Sequence, residues 1–186
     1  MQVEIKISIS TYLKYNNKFK CVGYNMNQNI VMKMYNFSRK CYEKRLVFLA
    51  RICWMFNRII FCADVPYTAK IDPTVRLGHN GLGIVMHVDT IVGANTLIMQ
   101  NVTLGHNFGR TREDGTTGTS PTIGENVFIG ANACVLGPVK VGNYAQIAAG
   151  SIVLSDVPEY SVVAGVPAKI IKTVTEEEAK YSMTKW

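Results

Sequence analysis

The sequence predicts a mainly β protein: a parallel β-helix built from hexapeptides, behind a helical N-terminal segment. Three observations carry that expectation. An aliphatic residue returns at every sixth position through TIGENVFIGANACVLGPVKVG and beyond, at Ile123, Ile129, Val135, Val141, Ile147 and Val153. The same frame runs backward through Leu104, Ile98, Val92 and Met86, and Ile71 and Leu77 are again six apart. Small residues (Gly124, Gly130, Ala133, Gly137, Gly142, Ala148) lie near the inward positions, where a short coil bends sharply. Neither the period of an α-helix nor the alternation of a simple strand demands a strict six. A solenoid does. Each unit makes one short strand and a turn, and three units close a triangular coil of about eighteen residues with aliphatic side chains stacked on its axis.

The chain divides near residue 63. Residues 1–62 are expected to form a mostly helical segment, residues 63–172 the β-helix, and residues 173–186 a tail or short helix. Within the first part, residues 1–39, rich in Asn, Tyr and Lys, read as strand or loop followed by a helix. KCYEKRLVFLARICWMFNRIIFC, residues 40–62, reads as one amphipathic helix with Leu46, Leu49, Cys53, Phe56 and Ile60 turned to the rest of the protein. The frame of six breaks twice. Leu77 to Met86 is nine residues, a bulge around His79-Asn80-Gly81, and Leu104 to Ile123 is nineteen, an extruded loop rich in Gly, Thr and charge.

Composition narrows the function. With 186 residues, 48% apolar and 18% charged, the chain is globular. Five scattered cysteines without a CxxC pair read as a reduced, cytoplasmic protein. The start lacks the layout of a signal peptide, and the most apolar run is interrupted by Arg51 and Arg58, which argues against a membrane span. The net charge of +7 is uneven. Residues 1–62 carry eleven Lys and Arg against Glu4 and Glu43, while residues 63–186 carry nine against eleven acids. Solvated helix faces are the default reading of the basic part; attraction to anionic lipid, a lipid-linked substrate or another polyanion is the alternative, with peripheral membrane contact through the basic helix. No nucleic-acid motif accompanies the charge.

GLGIVMHVDTIVG, QNVTLG, PTIGENVFIGANACVLG and VPEYSVVAGVPAKII together resemble the hexapeptide-repeat acyltransferases, and within them the serine O-acetyltransferases, over about residues 58–172. The resemblance implies a left-handed β-helix, usually a homotrimer, with acetyl-CoA in the groove between coils of neighbouring subunits. It matches the family's catalytic histidine to His79 and the aspartate one coil earlier to Asp64, fifteen residues upstream. A hydroxyl attacks a thioester poorly unless a base takes its proton, and an imidazole titrates in the right range. A carboxylate on its other nitrogen fixes the tautomer. His79 is therefore the expected base and Asp64 its partner, with His87 and His106 as competitors. Gly130, Ala131 and Ala149 match the path of the pantetheine, and Lys169 in AGVPAKII is placed to meet the adenosine phosphates. The histidine separations of 8 and 19 do not fit the three-histidine zinc sites of some left-handed β-helices, so no metal is expected.

The departures concern the acceptor. Gly78 stands where the family carries Asp, His87 where it usually carries Gly, and Thr119-Ser120 where it carries an Arg-His pair whose Arg meets the serine carboxylate. Arg110 or Arg112 in the long loop are candidate substitutes. A serine or a sugar hydroxyl is thus the expected small-molecule acceptor. A non-catalytic β-helix scaffold is the reading from another class, against which His79, Asp64 and the terminal element argue.

Overall fold

The computed structural model describes residues 29–107 and 118–179. The readings of residues 1–28, of Arg110 and Arg112, and of the tail beyond residue 179 lie outside the described residues.

From residue 70 the chain winds through three sheets in turn. The first holds β1 (Lys70–Ile71), β4 (Ile91–Val92), β7 (Thr122–Ile123) and β10 (Lys140–Val141). The second holds β2 (Arg76–Leu77), β5 (Leu97–Ile98), β8 (Phe128–Ile129), β11 (Gln146–Ile147), β13 (Ser161–Gly165) and β14 (Ala168–Thr173). The third holds β3 (Val85–Met86), β6 (Thr103–Gly105), β9 (Cys134–Leu136) and β12 (Ile152–Val153). Strands β1 to β13 pair in parallel, and among the described residues only the β13–β14 hairpin is antiparallel. The result is a prism with three faces and three columns of corners.

The period of six is visible in its interior. Every residue of the frame, from Ile71 to Val153, is buried. A second buried position, two residues earlier, is filled by side chains such as Thr90, Thr96, Val102, Val127, Ala133, Ala145 and Ser151. One residue before that, the backbone turns left-handed, at Asn95, Asn101, Asn126 and Asn132 with φ of 55°, 58°, 54° and 59°. Asparagine tolerates this region where most side chains do not. Gly130 is required for a different reason. A Cβ there would lie 2.5 Å from the Ala149 nitrogen of the next coil.

Among the described residues two helices precede the prism, α1 (Ile30–Glu43) and α2 (Val47–Ile60). Residues 40–62 are thus not one helix. The chain breaks at Lys44–Leu46, where Arg45 has φ of 62° and the Leu46 N–H donates to the Cys41 carbonyl. The inward face also differs from the expected one. Ala50, Cys53 and Asn57 are buried, while Leu46, Leu49, Phe56 and Ile60 are exposed. Polar contacts set this rotation: Ser38 Oγ donates to the Ala50 carbonyl (2.7 Å) and Asn57 Nδ2 to the Val31 carbonyl (3.1 Å).

Tyr35 of α1 joins the helices to the first coil. Its side chain is buried, its hydroxyl donates to the Ala69 carbonyl (2.7 Å) and accepts from the Ile71 N–H (3.1 Å). Tyr35→Phe leaves both backbone groups without that partner and is expected to cost about 1–3 kcal/mol, read as a lower urea midpoint. Burial also pushes the Tyr35 hydroxyl above its ordinary 10.0. The folded state holds this proton more tightly than the unfolded chain, so the contribution is full below pH 10 and fades as pH rises beyond it. The Phe variant is expected to lack that alkaline component.

Candidate active site

The corners between the second and third sheets form one continuous edge of the prism, and most of the expected site residues lie along it. At its N-terminal end the extra residues after β2 make a 3-10 turn, Gly78–Gly81, with His79 and Asn80 both left-handed (φ 50° and 54°). Gly78 and Gly81 are buried, and His79 is exposed on the outside of the turn. A Cβ on Gly78 would meet Met99 Sδ at 2.8 Å, so the tight turn is seated directly on the corner after β5. The Asn101 N–H donates to the Leu82 carbonyl and the Asn132 N–H to the Gln100 carbonyl, which stacks the corner after β8 on the one after β5. The Gly150 N–H donates to the Ala131 carbonyl at 2.8 Å, adding the corner after β11. Gly130, Ala131 and Ala149 therefore share the edge that begins at His79. Here the side chains are small, and Ala149 and Gly150 are exposed, so the edge is an open track with accessible backbone.

Lys169 closes the same edge. β13 pairs with β11, and Ala164 of β13 is opposite Lys169 of β14, whose side chain is exposed. From β2 to β13 is four strand spacings, roughly 19 Å. An imidazole at one end, a cation near the other and the small residues Gly130, Ala131 and Ala149 on the coils nearer the cation suit an extended thioester carrying an anionic head.

Asp64 is placed differently. It forms an isolated bridge with Val85, one rung before β3, but its carboxylate is engaged by α2. Trp54 Nε1–H donates to Oδ1 at 2.8 Å, and Arg58 Nη1 lies 3.5 Å from Oδ2. The Arg58 guanidinium also sits over the Trp54 ring, 5.7 Å from its centroid. The expected hydrogen bond to His79 is not among these contacts: Asp64 anchors α2 to the first coil. No spacing in the sequence pairs Trp54 with Asp64; the pairing exists because α2 ends against the segment that carries Asp64.

The other two histidines occupy the neighbouring corner, between the third and first sheets, where the long loop leaves. His87 and His106 stack with centroids 5.3 Å apart. Ser120 Oγ and His87 Nδ1 are 2.5 Å apart, and Asp89 Oδ2 is 3.8 Å from the same nitrogen. Ser120 thus holds His87 at this corner. A cleft of about 560 Å³ lies elsewhere, between α1 and the first sheet, lined by Arg39, Lys70, Asp72 and Glu125; it contains no histidine. Among the described residues, no three His, Cys, Asp or Glu side chains converge as a metal site.

Residues 120–155 match the family model described as bacterial transferase hexapeptide (six repeats). Serine acetyltransferase 2 of Arabidopsis thaliana is 36% identical over 163 residues, 87% of this chain and 46% of the relative. Residues 120–155 therefore carry the hexapeptide repeat of bacterial transferases. This hexapeptide-repeat chain also resembles solved serine acetyltransferases. That of Neisseria gonorrhoeae in complex with serine has a TM-score of 0.70 at 31% identity, covering 83% of this chain and 63% of that one. That of Brucella abortus strain S19 in complex with coenzyme A has a TM-score of 0.68 at 31% identity, covering 77% and 55%. The fold is thus the left-handed β-helix that the sequence resemblance implies. The hexapeptide-repeat chain spans about half the length of the curated relatives it matches.

Proposed function

We propose that this chain is a serine O-acetyltransferase-like enzyme, transferring the acetyl group of acetyl-CoA to the hydroxyl of a serine. The observation that carries the reading is the single corner edge that holds His79, Gly130, Ala131, Ala149 and Lys169 in that order. Solved relatives in complex with serine and with coenzyme A support it from outside the chain.

In the proposed reaction, His79 takes the proton of the acceptor hydroxyl as its oxygen attacks the thioester carbonyl. Backbone N–H groups of the corner hold the oxyanion. Collapse of the tetrahedral intermediate breaks the carbon–sulfur bond, and the imidazolium returns the proton to the leaving thiolate. The products are an O-acetyl ester and free CoA thiol. Asp64 is the proposed orienting carboxylate of that imidazole. Ala131 and Ala149 flank the pantetheine, and Lys169 meets the phosphates.

The protein works as a homotrimer in this account, in the cytoplasm where acetyl-CoA is found. A neighbouring subunit supplies the other wall of the groove, and the corner of His87, His106 and Ser120 is the candidate acceptor wall. The test is thiol release from acetyl-CoA with L-serine and then with a panel of sugars. Release with serine is expected. Release with a sugar alone would overturn the acceptor, and a chain that does not bind acetyl-CoA would be a scaffold.

A further inference from the structure

Helix α2 is amphipathic in the reverse of the usual sense. Its inward residues are small or polar, Ala50, Cys53 and Asn57. Its outward face is apolar: Phe48 is 80% exposed, Ile59 69%, Ile52 47% and Met55 46%. These four fall at i, i+4, i+7 and i+11, one unbroken stripe along the helix. A surface helix normally turns such a stripe to the core, and a stripe facing outward marks an interaction surface. Among the described residues nothing covers it.

Charge decides the kind of partner. Lys44, Arg45, Arg51 and Arg58 are the charged residues between positions 44 and 63, and the stretch contains no acid. All four side chains are exposed. Arg51 and Arg58, seven residues apart, line one edge of the stripe, and Arg58 is partly neutralised by Asp64 at 3.5 Å. A two-fold contact between copies would set this basic edge against itself, whereas a surface with negative headgroups and an apolar interior satisfies both parts. No helix among the described residues is long and apolar enough to cross a membrane, and the 14 residues of α2 suit lying in the interface plane.

We propose that the outward face of α2 docks this protein on an anionic lipid bilayer. Phe48, Ile52, Met55 and Ile59 enter the boundary between headgroups and acyl chains, and Lys44, Arg45 and Arg51 meet the headgroup phosphates. The inference goes beyond the acetyltransferase reading and does not rest on it.

The experiment is vesicle co-sedimentation of the full chain, with phosphatidylcholine alone and with phosphatidylcholine mixed with phosphatidylglycerol. The expected result is binding to the anionic vesicles, much weaker binding to the neutral ones, and loss of binding as salt rises. Arg51→Gln is expected to weaken binding roughly fivefold. Phe48→Ser with Ile59→Ser is expected to weaken it roughly a hundredfold or more. The double variant should keep the melting temperature and any acetyl-CoA turnover in solution, since both side chains are exposed and neither is in the proposed site. A wild-type chain that stays in the supernatant, or a double variant that binds as well as wild type, overturns the proposal. So does sedimentation velocity without lipid in which the double variant runs as a smaller assembly, because that would assign the face to contact between copies.

Discussion

Replacing His79 with Ala is expected to lower the turnover of acetyl transfer by about 10²–10⁴-fold while coenzyme A still binds, the range that a positioned general base supplies. The separation of the two effects follows from the geometry. His79 is exposed on a left-handed turn at the end of the corner edge, and the small-residue track that follows is built by other coils. Truncating the imidazole removes no residue that supports the stacking of Gly130 on Ala149. Steady-state kinetics with serine, paired with calorimetric titration of coenzyme A, reads both quantities. Unchanged turnover would mean that the base is elsewhere, with His87 the next candidate.

The second large effect is on stability. Ile129 is fully buried, with β8 paired between β5 and β11 so that Ile98 and Ile147 are its register partners. Ile129→Ala leaves a cavity in the middle of the stack and is expected to cost about 2–5 kcal/mol. In a solenoid each coil is stabilised mainly by its neighbours, so a defect at the centre weakens the contacts on both sides. Against a total of about 5–15 kcal/mol, this is a large fraction, visible as a lower urea midpoint. Gln146, half-buried on the outward side of β11, provides the contrast. Gln146→Ala is expected to change stability by no more than about 0.5 kcal/mol.

The β-helix was legible because its periodicity is redundant. Twelve frame positions repeat the same demand, and each proves buried, so no single residue had to be read correctly. The bulge at His79 and the extruded loop were legible as breaks in that frame. The corner asparagines were also present in the sequence, at a constant offset, but a count of glycines and alanines passes over them. The helical part resisted because its pattern is not redundant. Nothing in Glu43-Lys44-Arg45 marks a break, and the apolar majority of α2 points outward. Inward choice there depends on Ser38 and Asn57, polar residues whose partners are backbone carbonyls on another helix. The Asp64 contact was hidden for the same reason. Its partners Trp54 and Arg58 are close in sequence, yet only the docking of α2 turns them toward it.

The central claim is that the corner edge from His79 to Lys169 is the track on which acetyl-CoA is held. Ala149 is exposed on that edge, and Glu125 is exposed on a corner between the first and second sheets. The direct measurement is calorimetric titration of coenzyme A into the wild type, Ala149→Trp and Glu125→Trp. The account predicts that the indole at 149 weakens binding roughly tenfold or more while the one at 125 leaves it unchanged. Equal affinity of Ala149→Trp and the wild type would contradict it.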